Sequence, residues 1–215
     1  MMIAILVAWM VLIGLPPFSA EDAAEVAGAE CRLGCIVGED GWVSELDRRD
    51  VEWLARAVEC EAGVYGEWEQ SAVAWALAQQ LYQWHRRSTS NPSLATVVQS
   101  YSSCCSQKWA TGGSAYNERI TARADYYRNL DWGDIPARSR VFTVNWIEGR
   151  YPNETPGIVW WLAHGFEKHA PRETIGPFYV EGPENRGNVY FKIKPTVFWK
   201  TWTVRLVPAT QEVTL

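Results

Sequence analysis

One glutamate in the sequence has the spacing of a residue on the inner face of a helix. In residues 51–62 the apolar stripe is formed by Leu54, Ala57 and Val58, and Glu61 lies seven, four and three positions beyond them. Residues at these spacings share one face of an α-helix. Burial raises the pKa of a carboxyl group, and a glutamate that stays protonated near neutral pH can act as a general acid, as glycoside cleavage requires. If the helix end frays instead, Glu61 simply reaches water.

Four other acids lie close to Glu61 in the sequence. Glu52 and Glu59 fall elsewhere on the same helix and are expected in solvent. Glu67 and Glu69 open the next predicted helix, where the helix dipole favours acidic side chains. These last two are the candidates for a second carboxylate.

The histidines and cysteines do not form a recognisable metal site. The histidines lie apart from the cysteines in the sequence, and His164 and His169 do not belong to an H-E-x-x-H motif. The sequence therefore does not show the clustered ligands that a zinc amidase or peptidase would need. A papain-like peptidase could pair Cys105 with His164, but no motif surrounds either residue. We predict no metal and no cofactor.

The cysteine count predicts disulfide bonding. The five cysteines are Cys31, Cys35, Cys60, Cys104 and Cys105. Because the number is odd, at least one is unpaired or joins another chain. In an oxidising compartment some should pair, so at least one disulfide is expected. The spacing leaves the connectivity open, although adjacent cysteines rarely bond to each other because that geometry is strained.

The N-terminal residues predict export. Residues 1–15 are apolar and uncharged, which is short for a membrane span of about 20 residues but suits the apolar core of a signal peptide. No Lys or Arg precedes this run, and Phe18 is a poor fit to a cleavage site after Ala20. A cleaved signal peptide and a retained anchor therefore both remain open. Either one places the body of the protein outside the cytoplasm, in the periplasm or at a surface, with possible membrane contact.

Composition excludes one class of partner and suggests another. The net charge is −5, divided between −10 for residues 1–69 and +5 for residues 70–215, so nucleic-acid binding through bulk charge is not expected. The mildly basic part suits a weakly acidic polymer. Thirteen tryptophans are far more than usual; some must pack the core, and the others are available to stack on flat rings such as sugars.

The elements that position these residues are predicted from periodicity and turn residues. Asp47 or Asp50 is the candidate N-cap of the first helix, and Gly63 ends it. The predicted helices are 51–62, about 67–86, 93–101, 117–130 and 136–148, and the predicted strands are 158–162, 189–193 and 197–207. The fold class is α+β, mainly helical with strands toward the C-terminus. The segments are a signal peptide or anchor (1–20), a linker (21–49), a folded domain (50–193) and a C-terminal strand extension (194–215).

Residues 54–77 carry a family resemblance. They read LARAVECEAGVYGEWEQSAVAWAL, and further weak matches follow in order at 93–109, 156–158 and 186–191. The pattern of L-A-R, an E-A pair, a Gly/Glu turn and a Q-x-A-V-A helix resembles the cell-wall hydrolase family of spore-cortex lytic enzymes. The likeness covers about residues 50–193.

The resemblance implies a lysozyme-like fold and an activity. Glu61 matches the catalytic glutamate of the family, which cleaves the β-1,4 bond between N-acetylmuramic acid and N-acetylglucosamine in peptidoglycan strands. A lytic transglycosylase needs only this one carboxylate and leaves a 1,6-anhydro ring, whereas a hydrolytic muramidase would also use Glu67 or Glu69. The candidate substrate contacts implied at the groove are Tyr101, Ser106, Trp109, Trp160 and Trp161.

The resemblance also suggests a disulfide and an origin. Cys104 and Cys105 lie in the second matching segment, 93–109, which lines the groove in the family. A disulfide from Cys60 to one of them would therefore fix the helix end that carries Glu61. A divergent, exported bacteriolytic enzyme of this kind suits a phage endolysin. The rival class is a non-catalytic wall-binding or virion structural protein, which would keep an aromatic surface without needing Glu61 buried.

Overall fold

The computed structural model describes residues 30–88, 90–106, 115–163, 174–178, 188–193 and 203–209, together with positions 168, 170 and 172. Its helices are α1 Arg48–Ala62, α2 Glu67–Arg87, α3 Leu94–Tyr101, α4 Ala115–Arg128 and α5 Ala137–Ile147. Its strands are β1 Cys35–Gly38, β2 Val43–Glu45, β3 Ile158–Ala163, β4 Thr174–Phe178, β5 Asn188–Ile193 and β6 Val204–Val207. The α+β class is confirmed. No helix among the described residues is both long and apolar enough to span a membrane.

Helix α1 begins and ends where its sequence requires. The Asp47 side chain accepts the backbone N–H of Asp50 over 2.8 Å, and the Asp50 carboxylate accepts the N–H of Asp47 over 3.2 Å. This reciprocal pairing is a capping box, and it satisfies two N–H groups at the helix start. The helix ends at Ala62, where the N–H of Gly63 donates to Glu59 O over 2.9 Å. A side chain at position 63 would collide with Glu59, so glycine is the residue that fits.

Helix α2 crosses the centre of the core. Val73, Leu77 and Leu81 are spaced four residues apart on one face of this helix, and all three are fully buried in the main core. Two glutamines extend this packing to β3. Gln79 Nε2 donates to Thr155 O over 3.2 Å, and Gln80 Nε2 donates to the carbonyl of Val159. The two amides therefore hold the start of β3 against α2.

The strands form two antiparallel sheets of three strands each among the described residues. One has the order β3-β5-β4, and in it Trp161 pairs with Tyr190. The other has the order β2-β1-β6. Strand β4 was not predicted, and the predicted strand 197–207 is described only from residue 203 onward.

The assignment of residues 21–49 as a linker is wrong for its described part. Residues 35–45 form a hairpin, Ile36 is fully buried in the main core, and β1 pairs with the C-terminal strand β6. Val204 in β6 also lies in the main core, so both flanking segments belong to the folded unit. These strands are too short to show an alternating pattern, and the second partner of β1, strand β6, lies about 170 residues further along the chain.

One buried carboxylate joins the starts of two helices. Asp50 is 2% exposed, and its Oδ1 accepts the backbone N–H of Ala95, in the first turn of α3, over 2.7 Å. Burial raises the pKa of Asp50, while the N–H groups of Ala95 and Asp47 act in the opposite direction. The same side chain thus caps α1 and fixes the position of α3 beside it.

Replacing Asp50 with alanine should destabilise the protein. Asp50→Ala leaves the N–H groups of Ala95 and Asp47 without their acceptor, and a buried unsatisfied group costs about 1–3 kcal/mol. We expect the free energy of unfolding, measured by urea titration, to fall by about that amount. Glu154→Ala, at an exposed position, is the control and should change it little. Equal stability of the two variants would contradict the role of Asp50.

Candidate functional site

Glu61 is held by two serine hydroxyls. It lies in the last turn of α1, and its Oε1 accepts Ser102 Oγ over 2.8 Å and Ser103 Oγ over 3.1 Å. Ser102 is fully buried, whereas Ser103 is exposed. Within the described part of the chain, Oε2 has no hydrogen-bond partner. One carboxylate oxygen is therefore held by two donors, and the other makes no hydrogen bond with the described residues.

The predicted apolar surrounding of Glu61 is only partly present. The residue is half-buried, and its carboxylate meets the polar turn that follows α3 and not an apolar helix face. The periodicity correctly places Leu54, Ala57 and Val58 in the core, each at 0% exposure. Glu61 continues their face of the helix, but it lies where the core ends.

Every backbone carbonyl in the last turn of α1, which carries Glu61, accepts a hydrogen bond. The final four C=O groups of a helix have no partner inside it and must find one elsewhere. Two of the donors are backbone groups: Gly63 N–H donates to Glu59 O, and Tyr65 N–H donates to Ala62 O over 2.9 Å. The other two are side chains: the Arg123 guanidinium donates to Cys60 O, and Asn188 Nδ2 donates to Glu61 O over 2.9 Å. The positive Arg123 also suits the negative end of the helix dipole. The turn that carries the acid therefore has all of its terminal carbonyls hydrogen-bonded, which opposes fraying.

Two disulfides are present, and one of them borders the site. Cys31 bonds to Cys35, and Cys60 bonds to Cys104. The prediction that Cys60 pairs with Cys104 or Cys105 is confirmed, with Cys104 as the partner. The bond joins the residue before Glu61 to the residue after Ser103. Cys105 is left as a buried thiol.

The expectation that Glu59 lies in solvent is wrong. It is 8% exposed, and its carboxylate accepts Arg138 Nη2 over 3.0 Å and Ser139 Oγ over 2.6 Å. Both donors belong to α5, which covers the side of α1 that the sequence pattern left open. Glu59 therefore has a structural ion pair and hydrogen bond between helices.

Of the two candidates for a second carboxylate, Glu69 is enclosed in the core and Glu67 lies on the surface. Glu69 is fully buried, accepts the hydroxyl of Tyr190, and accepts the N–H of Asn188 over 3.4 Å. Burial, and then the charge of Glu69, raises the pKa of Tyr190 well above its ordinary value, so this hydroxyl remains a donor. Glu67 is exposed and hydrogen-bonds with Tyr151.

An aromatic cluster adjoins the serine turn. Tyr101 directly precedes Ser102 and is 36% exposed. Its ring meets Trp84 edge-on with centroids 5.9 Å apart, and Trp160 edge-on at 6.0 Å. Two of the predicted groove residues, Tyr101 and Trp160, are thus brought together. Trp84, from the last part of α2, is a third member.

Two other predicted contact residues are buried. Trp161 is 9% exposed and packs in the main core, because neighbouring residues of a strand point to opposite faces and Trp160 takes the other one. Ser106 is 1% exposed, and its N–H donates to Ser102 O over 2.8 Å. Neither side chain is accessible to a polymer in this structure. The prediction for Trp109 lies outside the described residues.

The site's polar partners are the residues that sequence reasoning missed. Ser102, Ser103 and Asn188 had no signal beyond lying inside the weakly matching segments 93–109 and 186–191, since serine and asparagine are common residues. Among the described residues, no group of three His, Cys, Asp or Glu side chains is arranged to hold a metal ion. No family model matches the chain, and no curated protein or solved structure matches it. The described geometry therefore defines an α+β domain with one fixed, partly exposed carboxylate beside exposed aromatic surface.

The buried thiol should be unreactive in the folded protein. Burial raises the pKa of Cys105 to about 12, so only about one thiol in ten thousand is ionised at pH 8. We expect no labelling by iodoacetamide at pH 8 in native protein. One thiol should be labelled after unfolding without reductant, and five after unfolding with reductant. Rapid labelling of the native protein would contradict the buried position.

Proposed function

We propose that this chain cleaves peptidoglycan glycan strands, with Glu61 as the single acid/base of a lytic transglycosylase. The observation that carries the proposal is the geometry of Glu61. One oxygen is fixed by Ser102 and Ser103, the other is unengaged in the described part of the chain, and the helix end beneath it is immobilised. A general acid needs this combination of a fixed carboxyl group and access to substrate.

The proposed reaction uses Glu61 twice. The protonated carboxyl gives its proton to the oxygen of the β-1,4 bond as the bond from C1 of N-acetylmuramic acid to that oxygen breaks. The carboxylate then takes the proton of the muramyl C6 hydroxyl, whose oxygen bonds to C1. The product is a 1,6-anhydro ring, and Glu61 is protonated again. No water enters, so a second carboxylate to activate it is not required.

The neighbouring acids support a mechanism with one carboxylate. Glu69 is sealed in the core with Tyr190 and Asn188, and Glu67 hydrogen-bonds with Tyr151. A hydrolytic muramidase would need one of them to activate water or to attack C1. Freeing Glu69 would expose a fully buried carboxylate and break its contacts with β5.

The aromatic cluster supports a sugar substrate. The exposed Tyr101 ring adjoins the turn that binds Glu61, and Trp84 and Trp160 brace it edge-on. A rigid aromatic ring supplies a large contact area to the apolar face of a pyranose at small entropic cost. A non-catalytic wall-binding protein would share this surface, so the catalytic test rests on Glu61.

Glu61→Gln should abolish lytic activity while the protein stays folded. Glutamine keeps the shape and can accept the serine hydroxyls, but it cannot donate the proton. General acid–base catalysis contributes about 10²–10⁴-fold, so release of muropeptides from purified sacculi should fall at least that far. Glu67→Gln is the matched control, because it makes the same change at an exposed neighbouring position. Wild-type turnover by Glu61→Gln would refute the proposed catalytic role.

The products distinguish the two enzymatic alternatives. We expect mass spectrometry of the released muropeptides to show anhydro-muramyl ends, each one water lighter than the hydrolytic product. If the products carry reducing ends and Glu61→Gln is inactive, Glu61 is still the catalytic acid but the enzyme is a hydrolytic muramidase. Binding to sacculi without any release would instead indicate a wall-binding or virion structural protein.

A further inference from the structure

Two serine hydroxyls donate to the same oxygen of Glu61. Ser102 is at 0% exposure, and a buried hydroxyl needs a partner, so its bond alone would be ordinary core satisfaction. Ser103 is exposed and could bond to water at no cost, yet it also donates to Oε1 over 3.1 Å. Two donors on one oxygen restrict the orientation of the carboxyl group more than a single donor would.

The disulfide closes a ring around this interaction. Cys60 directly precedes Glu61 and Cys104 directly follows Ser103, and the two cysteines are bonded. Glu61 and Ser103 are therefore linked covalently through the Cys60–Cys104 disulfide, and the hydrogen bond between them closes the ring. While the bond is intact, the serine turn cannot move away from the end of α1 by more than the slack of a few single bonds.

We propose that Ser102 and Ser103 are positioning residues for Glu61, and that the Cys60–Cys104 disulfide holds them in register with it. This inference rests on the proposed function. With Oε1 engaged by both hydroxyls, Oε2 is the atom that carries the proton toward substrate. The serines and the disulfide do not touch the sugar; they keep the acid in one rotamer and one plane. The second disulfide, Cys31–Cys35, lies at the β1 hairpin and has no contact with this ring.

The serine variants test orientation. On soluble glycan strands, Ser102→Ala and Ser103→Ala should each lower kcat by roughly 10–100-fold with KM nearly unchanged, because a misplaced catalytic group costs about that much while substrate contacts remain. Ser103→Thr keeps the hydroxyl and should restore most of the activity. Ser90→Ala is an exposed serine control and should behave as wild type.

The cysteine variants test the ring. Cys60→Ala/Cys104→Ala should lose kcat to a similar extent, and adding Ser103→Ala should cause little further loss, because both changes release the same interaction. Cys31→Ala/Cys35→Ala removes the other disulfide and should keep wild-type kcat. Each assay is run well below the melting temperature of the variant, determined by circular dichroism, so that unfolding does not imitate the effect.

The possible results separate the two proposals. If Glu61→Gln is inactive and both serine variants keep wild-type kcat, the positioning role is overturned and the proposed function stands. If the serine variants raise KM alone, they contact substrate and the inference is also wrong. If wild-type protein releases no product from glycan strands, the proposed function fails and the positioning role fails with it. Loss of kcat in the serine-to-alanine and Cys60/Cys104 variants supports the inference, provided that Ser90→Ala, Cys31→Ala/Cys35→Ala and Ser103→Thr stay active.

Discussion

The structure depends on the attachment of α1 to α3 at both of their ends. At the start, the buried carboxylate of Asp50 caps α1 and accepts the first-turn N–H of Ala95. At the finish, the Cys60–Cys104 disulfide and the bond from Ser102 to Glu61 join the two C-terminal ends. Two helices tied at both ends cannot slide along each other. The carboxylate of Glu61 therefore lies beside Ser102 irrespective of the conformation of the surrounding loops.

The other described elements attach to this pair through its backbone and through neighbouring side chains. Helix α5 covers the far side of α1 through Glu59 and its two donors, and α4 supplies Arg123 to the helix end. Strand β5 contributes Asn188, whose side chain donates to Glu61 O while its N–H donates to Glu69. The buried Glu69 and Tyr190 pair then anchors β5 to the start of α2. Burying that carboxylate is costly, and its several partners offset the cost.

Polar partners at the core boundary explain why Glu61 is half-buried while two neighbouring glutamates are fully enclosed. Glu59, Glu61 and Glu69 lie within eleven residues, yet each meets a different element: α5, the turn after α3, and β5. Only the turn after α3 leaves a carboxylate oxygen without a hydrogen bond among the described residues. The aromatic surface lies at that same turn because Tyr101 is the last residue of α3, and the glutamines of α2 set the position of Trp160 through β3.

The sequence by itself determined the helices, their caps, the buried stripe and the prominence of Glu61, because these follow from periodicity and from residues close together in the chain. It also indicated that Cys60 pairs near Cys104, through a family resemblance. Only the tertiary structure decided that residues 35–45 belong to a sheet, that Glu59 is paired, that Trp161 is core while Trp160 is not, and that Ser102, Ser103 and Asn188 hold the site. The reason is physical. Each of these outcomes depends on a partner more than 40 positions away, and a local pattern carries no information about which distant element will cover a given face.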